Sequence, residues 1–254
     1  MVATGSFDNT AKIWSSNTGE CLRTLKGHKL EVVCLAFDLK STILATSGMD
    51  STAKIWDVES GKELHTLEGH YAELVSLDFA ESGNTLLTGS FDCTAKIWDV
   101  RTGTAVQTFD EHKSEITTAI FSYNTQYCAT GSLDHTCKLW DPRQPQSVCT
   151  FSGHEDEIFD VAFNSSGTKL ATASSDSTAW IFDLSDNSTH AVLSGHTEAV
   201  IKVRFNGQGS KLLTGSEDST IKVWDVENGD LLQTLEGECL KFLLMTISAL
   251  CILV

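Results

Sequence analysis

Residues 27–57 read GHKLEVVCLAFDLKSTILATSGMDSTAKIWD, and residues 69–99 read GHYAELVSLDFAESGNTLLTGSFDCTAKIWD. The two stretches share an opening Gly-His, a closing Trp-Asp and the spacing between them. The interval of 42 residues then holds outward along the chain. Histidines fall at His28, His70, His112, His154 and His196. Threonines fall at Thr4, Thr46, Thr88, Thr130, Thr172 and Thr214, and aspartates at Asp8, Asp50, Asp92, Asp134, Asp176 and Asp218. Phenylalanines at Phe37, Phe79, Phe121, Phe163 and Phe205 keep the same step. So do Trp14, Trp56, Trp98, Trp140 and Trp224, with Phe182 in the missing slot. A chain of 254 residues is then about six units and no second domain.

Each unit reads as four short strands separated by turn residues. In residues 27–68, Val32 to Phe37 is apolar on both alternating faces, as in a strand covered on both sides. Ile43 to Thr46, Thr52 to Trp56 and Glu63 to Leu67 follow as further strands rich in β-formers. Lys40-Ser41, Ser47 to Asp50 and Glu59 to Gly61 are the turns between them. Helical periodicity is absent.

Units of this length, with Gly-His at one end and Trp-Asp at the other, resemble WD repeats. That resemblance implies an all-β propeller of about six four-stranded blades. The expected propeller spans residues 1–238, its units ending near Trp14, Trp56, Trp98, Trp140, Phe182 and Trp224. The first unit has Thr4, Asp8 and Trp14 but no His and no first strand, so its blade is incomplete. Residues 239–254 form a divergent apolar tail in which Phe242 to Ile247 falls in phase with the first strand of a blade, a candidate closing strand. The apolar run is short of the roughly 20 residues of a membrane helix.

The resemblance also implies a buried hydrogen-bond chain in each unit. The matching residues are His28, Thr46, Asp50 and Trp56; His70, Thr88, Asp92 and Trp98; His112, Thr130, Asp134 and Trp140; and His196, Thr214, Asp218 and Trp224. The chemistry is consistent: imidazole has one donor and one acceptor, a hydroxyl both, indole only donates and carboxylate only accepts. The fifth unit departs, with Phe182 in the indole slot and Trp180 two residues early, so that blade is expected to be less firmly pinned. A Thr, a His and an Asp in proximity also superficially suit nucleophilic catalysis, but periodic copies are not separate active sites. No catalytic, cofactor or metal site is expected. The repeating histidines lack ligand spacing, and His65, His135 and His190 stand alone.

Function is then left to the surface. Glu31, Glu73, Glu115 and Glu157 stand three residues after the first four repeating histidines, with Ala199 breaking the series, an acidic ring that reads either as a site for a basic partner or as solubility with local bonds to turn backbone. The residue before each turn Asp reads Phe7, Met49, Phe91, Leu133, Ser175 and Glu217, apolar in four of six units. Exposed apolar groups of this kind often mark partner sites, the alternative being that they fold down over the blade edge. Trp98-Asp99-Val100-Arg101 and Trp140-Asp141-Pro142-Arg143 resemble the docking motif of cullin-4 ubiquitin ligase substrate receptors, through Arg101 and Arg143.

Composition narrows the partners. The chain has 18 basic and 34 acidic residues and a formal net charge of −16, which disfavours nucleic acid and anionic lipid. The eight cysteines contain no CxxC pair and read as free thiols of a reducing compartment. No signal-peptide pattern is visible at Met1.

Among WD-repeat proteins, several non-generic stretches are similar to the axonemal dynein assembly factors with WD repeat domains. They include Val2 to Ser15, Glu31 to Phe37, Ala72 to Leu77 and His154 to Asp160. That family's chains are longer at both ends, so this sequence would be a fragment or short form. The resemblance implies a non-enzymatic adaptor that hands outer-arm dynein to intraflagellar transport, cytoplasmic and near the cilium or flagellum or its base. A cullin-4 substrate receptor and a generic WD-repeat scaffold are the alternatives.

Overall fold

Each hairpin between the second and third strands of a unit closes on the same turn chemistry. In the first unit, Ser6 accepts from the Asn9 N–H and donates its own N–H to the Thr10 carbonyl. The residue after the turn Asp is left-handed in every unit: Asn9, Ser51, Cys93, His135, Ser177 and Ser219 have φ between 62° and 68°. A type I turn followed by one left-handed residue matches the twist of the flanking strands. The carboxylate stabilises it locally. Asp92 accepts both the N–H and the hydroxyl of Thr94, and the other turn aspartates do the same with Thr52, Thr136, Thr178 and Thr220.

The computed structural model describes residues 1–236, and the strands it contains form six antiparallel sheets. The first has three strands: β1 (Val2–Gly5), β2 (Thr10–Trp14) and β3 (Cys21–Lys26). The other five are four-stranded meanders. The second holds β4 (Val32–Phe37), β5 (Ile43–Gly48), β6 (Ala53–Asp57) and β7 (Glu63–Leu67). The third holds β8 (Leu74–Phe79), β9 (Thr85–Ser90), β10 (Ala95–Asp99) and β11 (Thr104–Phe109). The fourth holds β12 (Ile116–Phe121), β13 (Cys128–Ser132), β14 (Cys137–Trp140) and β15 (Ser147–Phe151). The fifth holds β16 (Ile158–Phe163), β17 (Lys169–Ser174), β18 (Thr178–Asp183) and β19 (Ser188–Ser194). The sixth holds β20 (Val200–Phe205), β21 (Lys211–Ser216), β22 (Thr220–Asp225) and β23 (Leu231–Glu236). These are blades: the first strands β4, β8, β12, β16 and β20 pack successively against one another.

The incomplete first blade carries β1 where the others carry a second strand, since Thr4 of β1 holds the slot of Thr46 in β5. Among the described residues, no strand pairing joins the first sheet to the sixth, and each sheet stands as a separate unit. The apolar tail of residues 239–254, with its candidate closing strand, lies outside the described residues.

The core is divided among the blade interfaces rather than gathered at one centre. Ala11, Ile13 and Leu25 of the first blade pack with Val32, Leu44 and Trp56 of the second, and each later pair of neighbours repeats the arrangement. Second strands that have a blade on each side are therefore covered on both faces, and β17 is buried from Leu170 to Ser174, whereas β21 of the sixth blade leaves Leu213 exposed. The fit is close. A Cβ added to Gly131 would stand 2.9 Å from Cγ2 of Ile158 in the next blade.

Neighbouring first strands are not β-paired, and side chains stitch them instead. A bulge early in each first strand shifts the register, between Val32 and Cys34 in the second blade and at the matching step in the others. Cys34 donates its thiol to the Val75 carbonyl at 2.9 Å. Ser76 donates to the Ala119 carbonyl and accepts the Ala119 N–H, at 3.0 and 2.9 Å. Asp160 accepts the Val203 N–H and pairs with both Arg204 and Lys202.

Candidate functional site

The four residues of each repeating set come together at one end of their blade. In the fourth blade the Trp140 indole N–H donates to the Thr130 hydroxyl at 2.9 Å, and Thr130 lies 2.7 Å from His112 Nε2. The Asp134 carboxylate can only accept, so His112 Nδ1 donates to it at 2.9 Å, and the indole can only donate, so the threonine oxygen accepts from it. In the tautomer with hydrogen on Nδ1, Nε2 accepts the Thr130 hydroxyl. The same chain runs through Trp56, Thr46, His28 and Asp50; through Trp98, Thr88, His70 and Asp92; and through Trp224, Thr214, His196 and Asp218.

The electrostatics follow from burial and these bonds. Burial disfavours the imidazolium and outweighs the pull of the neighbouring carboxylate, so His28, His154 and His196 have pKa values below 6.5. For Asp92, Asp134 and Asp218 burial alone would raise the pKa. Hydrogen bonds from histidine and threonine outweigh it and hold these carboxyls well below the usual range. Thr46, Thr88, Thr130 and Thr172 have no exposed surface, so no substrate reaches a hydroxyl that superficially resembles a nucleophile.

The fifth blade is built differently. His154 still meets Thr172 and Asp176, each at 2.7 Å. The indole of Trp180 donates to Thr178 at 3.0 Å rather than to Thr172, and its ring lies 4.9 Å from that of His154. Phe182 fills the indole slot and packs on Phe151 at 4.5 Å. In the first blade Trp14 donates to Thr4 at 2.8 Å without a histidine.

The end that carries the His and Asp turns is the candidate docking face. There the two surface series are neighbours. The N–H of Met49 donates to the Glu31 carbonyl, Phe91 to Glu73, Leu133 to Glu115 and Ser175 to Glu157, at 2.9 to 3.0 Å. Phe7 is 77% exposed, and Met49 and Phe91 are partly exposed, whereas Leu133 is half-buried. The glutamates are all half-buried, and none has a cationic partner among the described residues. Sequence reasoning passed over Leu30 and Tyr71, which stand beside the repeating histidines and are 47% and 91% exposed. Comparing those two slots across units, where later blades carry Lys, Ser, Glu and Thr, was the available signal.

The turns after Trp98 and Trp140 lie at the opposite end, since they leave the third strands by their far ends. Arg101 is exposed, and its carbonyl accepts from His65 Nε2 at 3.0 Å. The Arg143 guanidinium is folded onto Asp141 through two hydrogen bonds of 2.8 Å.

Charged residues in the first strands also went unflagged. Asp78, Ile120, Phe121, Val161 and Arg204 are among the residues lining a cavity of about 260 Å³ beside the innermost strands. Desolvation pushes Asp78 up to about 7, against the Phe121 N–H that it accepts at 2.7 Å. Among the described residues no group of three or more His, Cys, Asp or Glu is placed to hold a metal ion, and no helix is long and apolar enough to cross a membrane.

A family model described as WD domain, G-beta repeat matches residues 19–57 and 61–99. A second, a β-propeller model described as Nucleolar protein 10-like, N-terminal domain, matches residues 114–254, just over half of the chain. Against the curated proteins the chain finds no match.

Proposed function

The chain belongs to the WD-repeat β-propeller family, and on that footing we propose that it is a non-enzymatic protein-binding scaffold. Its docking face is the end that carries the His and Asp turns. The observation that supports this is the backbone pairing of Phe91 with Glu73 and of Met49 with Glu31. It sets exposed apolar side chains beside carboxylates that have no cationic partner among the described residues. Apolar anchors beside charged groups are what a protein interface uses for affinity and for partner choice. The turn residues are held by their own hydrogen bonds, so little order is lost on binding.

The finer reading is an adaptor in axonemal outer dynein arm assembly or in the intraflagellar transport of dynein. Its support is the similarity of Val2 to Ser15, Glu31 to Phe37 and His154 to Asp160 to that group. A tagged chain expressed in ciliated cells should concentrate at the cilium or its base and co-precipitate outer-arm dynein subunits. Phe7→Asp with Phe91→Asp should abolish that co-precipitation at an unchanged melting temperature. Leu133 is a poorer choice because it is half-buried. Diffuse staining and no dynein would remove the ciliary reading and leave the scaffold.

The cullin-4 receptor reading rests on the exposed Arg101. Arg143 is also exposed, with its guanidinium paired to Asp141. Co-purification with the ligase adaptor that is lost on Arg101→Ala and Arg143→Ala is its test.

A further inference from the structure

The docking face changes character around the fan of blades. Over the first three blades it presents Phe7, Leu30, Met49, Tyr71 and Phe91 to solvent, with Lys29 exposed and Glu31 and Glu73 half-buried among them. Over the fifth and sixth blades the same turns carry Glu155, Asp156, Glu157, Glu198 and Glu217. Of these, Glu155, Glu198 and Glu217 are exposed and the other two half-exposed. The turns that hold them contain no Lys or Arg, and none of the five acids forms an ion pair among the described residues. The fourth blade lies between the two regions, with Leu133 half-buried beside Glu115.

Two poles of different chemistry on one face select an occupant that has both. The apolar pole gains chiefly from removing water from apolar surface. Five unneutralised carboxylates attract cations over a Debye length and repel acidic chains. Nucleic acid is excluded by the sign of the charge.

We propose that this face binds a single extended polypeptide segment of a partner protein, with large apolar side chains seated over the first three blades and Lys or Arg over the fifth and sixth. The proposal rests on the docking-face reading and adds the partner's chemistry and direction. The two poles do different work. The acidic pole speeds encounter and depends on salt, while the apolar pole sets how long the segment stays.

The probe is a random linear peptide library displayed on phage and selected against the full chain, followed by a synthetic peptide of the consensus. The consensus should hold apolar residues toward one end and Lys or Arg toward the other. Association of the synthetic peptide should slow as salt rises. Glu155→Gln, Glu198→Gln and Glu217→Gln together should slow association about tenfold at low salt and flatten its salt dependence, with dissociation little changed. Phe7→Ser with Tyr71→Ser should speed dissociation about tenfold or more and leave the salt dependence in place. These five positions are exposed, and near-ultraviolet circular dichroism confirms that each variant is folded. A consensus without Lys or Arg, or a triple variant that binds like the parent, overturns the two-pole proposal while the docking face stands. Unchanged binding of the Phe7 and Tyr71 variant overturns the docking face itself. A library that yields no consensus overturns the linear segment, and co-precipitation then decides the scaffold reading separately.

Discussion

Trp180 lies directly across from Val192 in the pairing of β18 with β19. At the same register of the fourth blade Lys138 faces Thr150, and its ammonium donates to that hydroxyl at 2.9 Å. Lys54 with Thr66, Lys96 with Thr108 and Lys222 with Thr234 repeat the polar pair. The fifth blade has thus exchanged both members of an outer polar pair for apolar ones. The indole that left the Thr172 slot sits over His154, where a Cβ on Gly153 would collide with it. Exchange of both members together is what packing demands. A single change would leave an ammonium or a hydroxyl facing an apolar group.

The missing indole bond should be measurable. Thr130→Val strands two buried groups, the Trp140 N–H and His112 Nε2. Thr172→Val strands only His154 Nε2. Each orphaned group costs about 1–3 kcal/mol. Denaturant unfolding of the two isosteric variants should show Thr130→Val costing about twice as much. Equal losses would mean that the indole bond adds nothing.

Acid should weaken the fold before the ordinary carboxylate range is reached. His28, His154 and His196 have folded pKa values below their unfolded 6.5. The folded state therefore binds fewer protons, and the stability these residues supply is present above about pH 6.5 and lost as pH falls below it. The turn aspartates add a second loss below their unfolded 3.8. In the Asp78→Asn variant, which removes the opposing titration of that carboxyl, melting temperatures followed downward from neutral pH should begin to fall near pH 6.5. A flat profile down to the carboxylate range contradicts the neutral tetrad.

Asp78 works in the opposite direction. Its folded pKa of about 7 exceeds its unfolded 3.8, so its contribution is favourable at low pH and is lost as pH rises through about 7. Asp78→Asn keeps an acceptor for the Phe121 N–H and removes the desolvated charge. It should stabilise the chain by on the order of 1 kcal/mol above neutrality. The gain should shrink as pH falls toward 4, where both forms are neutral. Unfolding curves above and below neutrality for parent and variant measure the difference.

One turn carries avoidable strain. Thr125 has φ 54° in the turn after β12, where Gly83, Gly167 and Gly209 hold the same slot of other blades at φ 68° to 71°. A β-branched residue is disfavoured there. Thr125→Gly should raise stability by about 1 kcal/mol, or about 2–4 °C in melting temperature for a chain of this size. It gives up only a 3.3 Å surface bond from the Glu81 N–H. A lowered melting temperature would show that the surface bond matters more than the backbone strain.

The repeat was legible because its determinants lie inside one blade. His112, Thr130, Asp134 and Trp140 keep constant separations, and their chemistry is matched donor to acceptor within a single sheet, so the pattern reads directly from residue order. The strands were equally plain: Val32 to Phe37 and Glu63 to Leu67 were predicted with the limits they have. Ser47 and Gly48 extend β5 beyond the predicted Thr46, because they pair with Cys34 and Val32 of β4 and Ser47 also donates to the Leu74 carbonyl of the next blade.

What residue order alone decided was the unit and its internal bonds, since those repeat at a fixed step and need no neighbour. What required the assembled blades was everything that crosses between them. The Ser76 and Ala119 stitch, the exposure of Phe7 against the half-burial of Leu133, and the separation of apolar from acidic turns occur at positions whose identity changes from unit to unit. Such residues carry no periodic signal, and only packing one sheet on the next determines whether a side chain is covered, paired or left facing water.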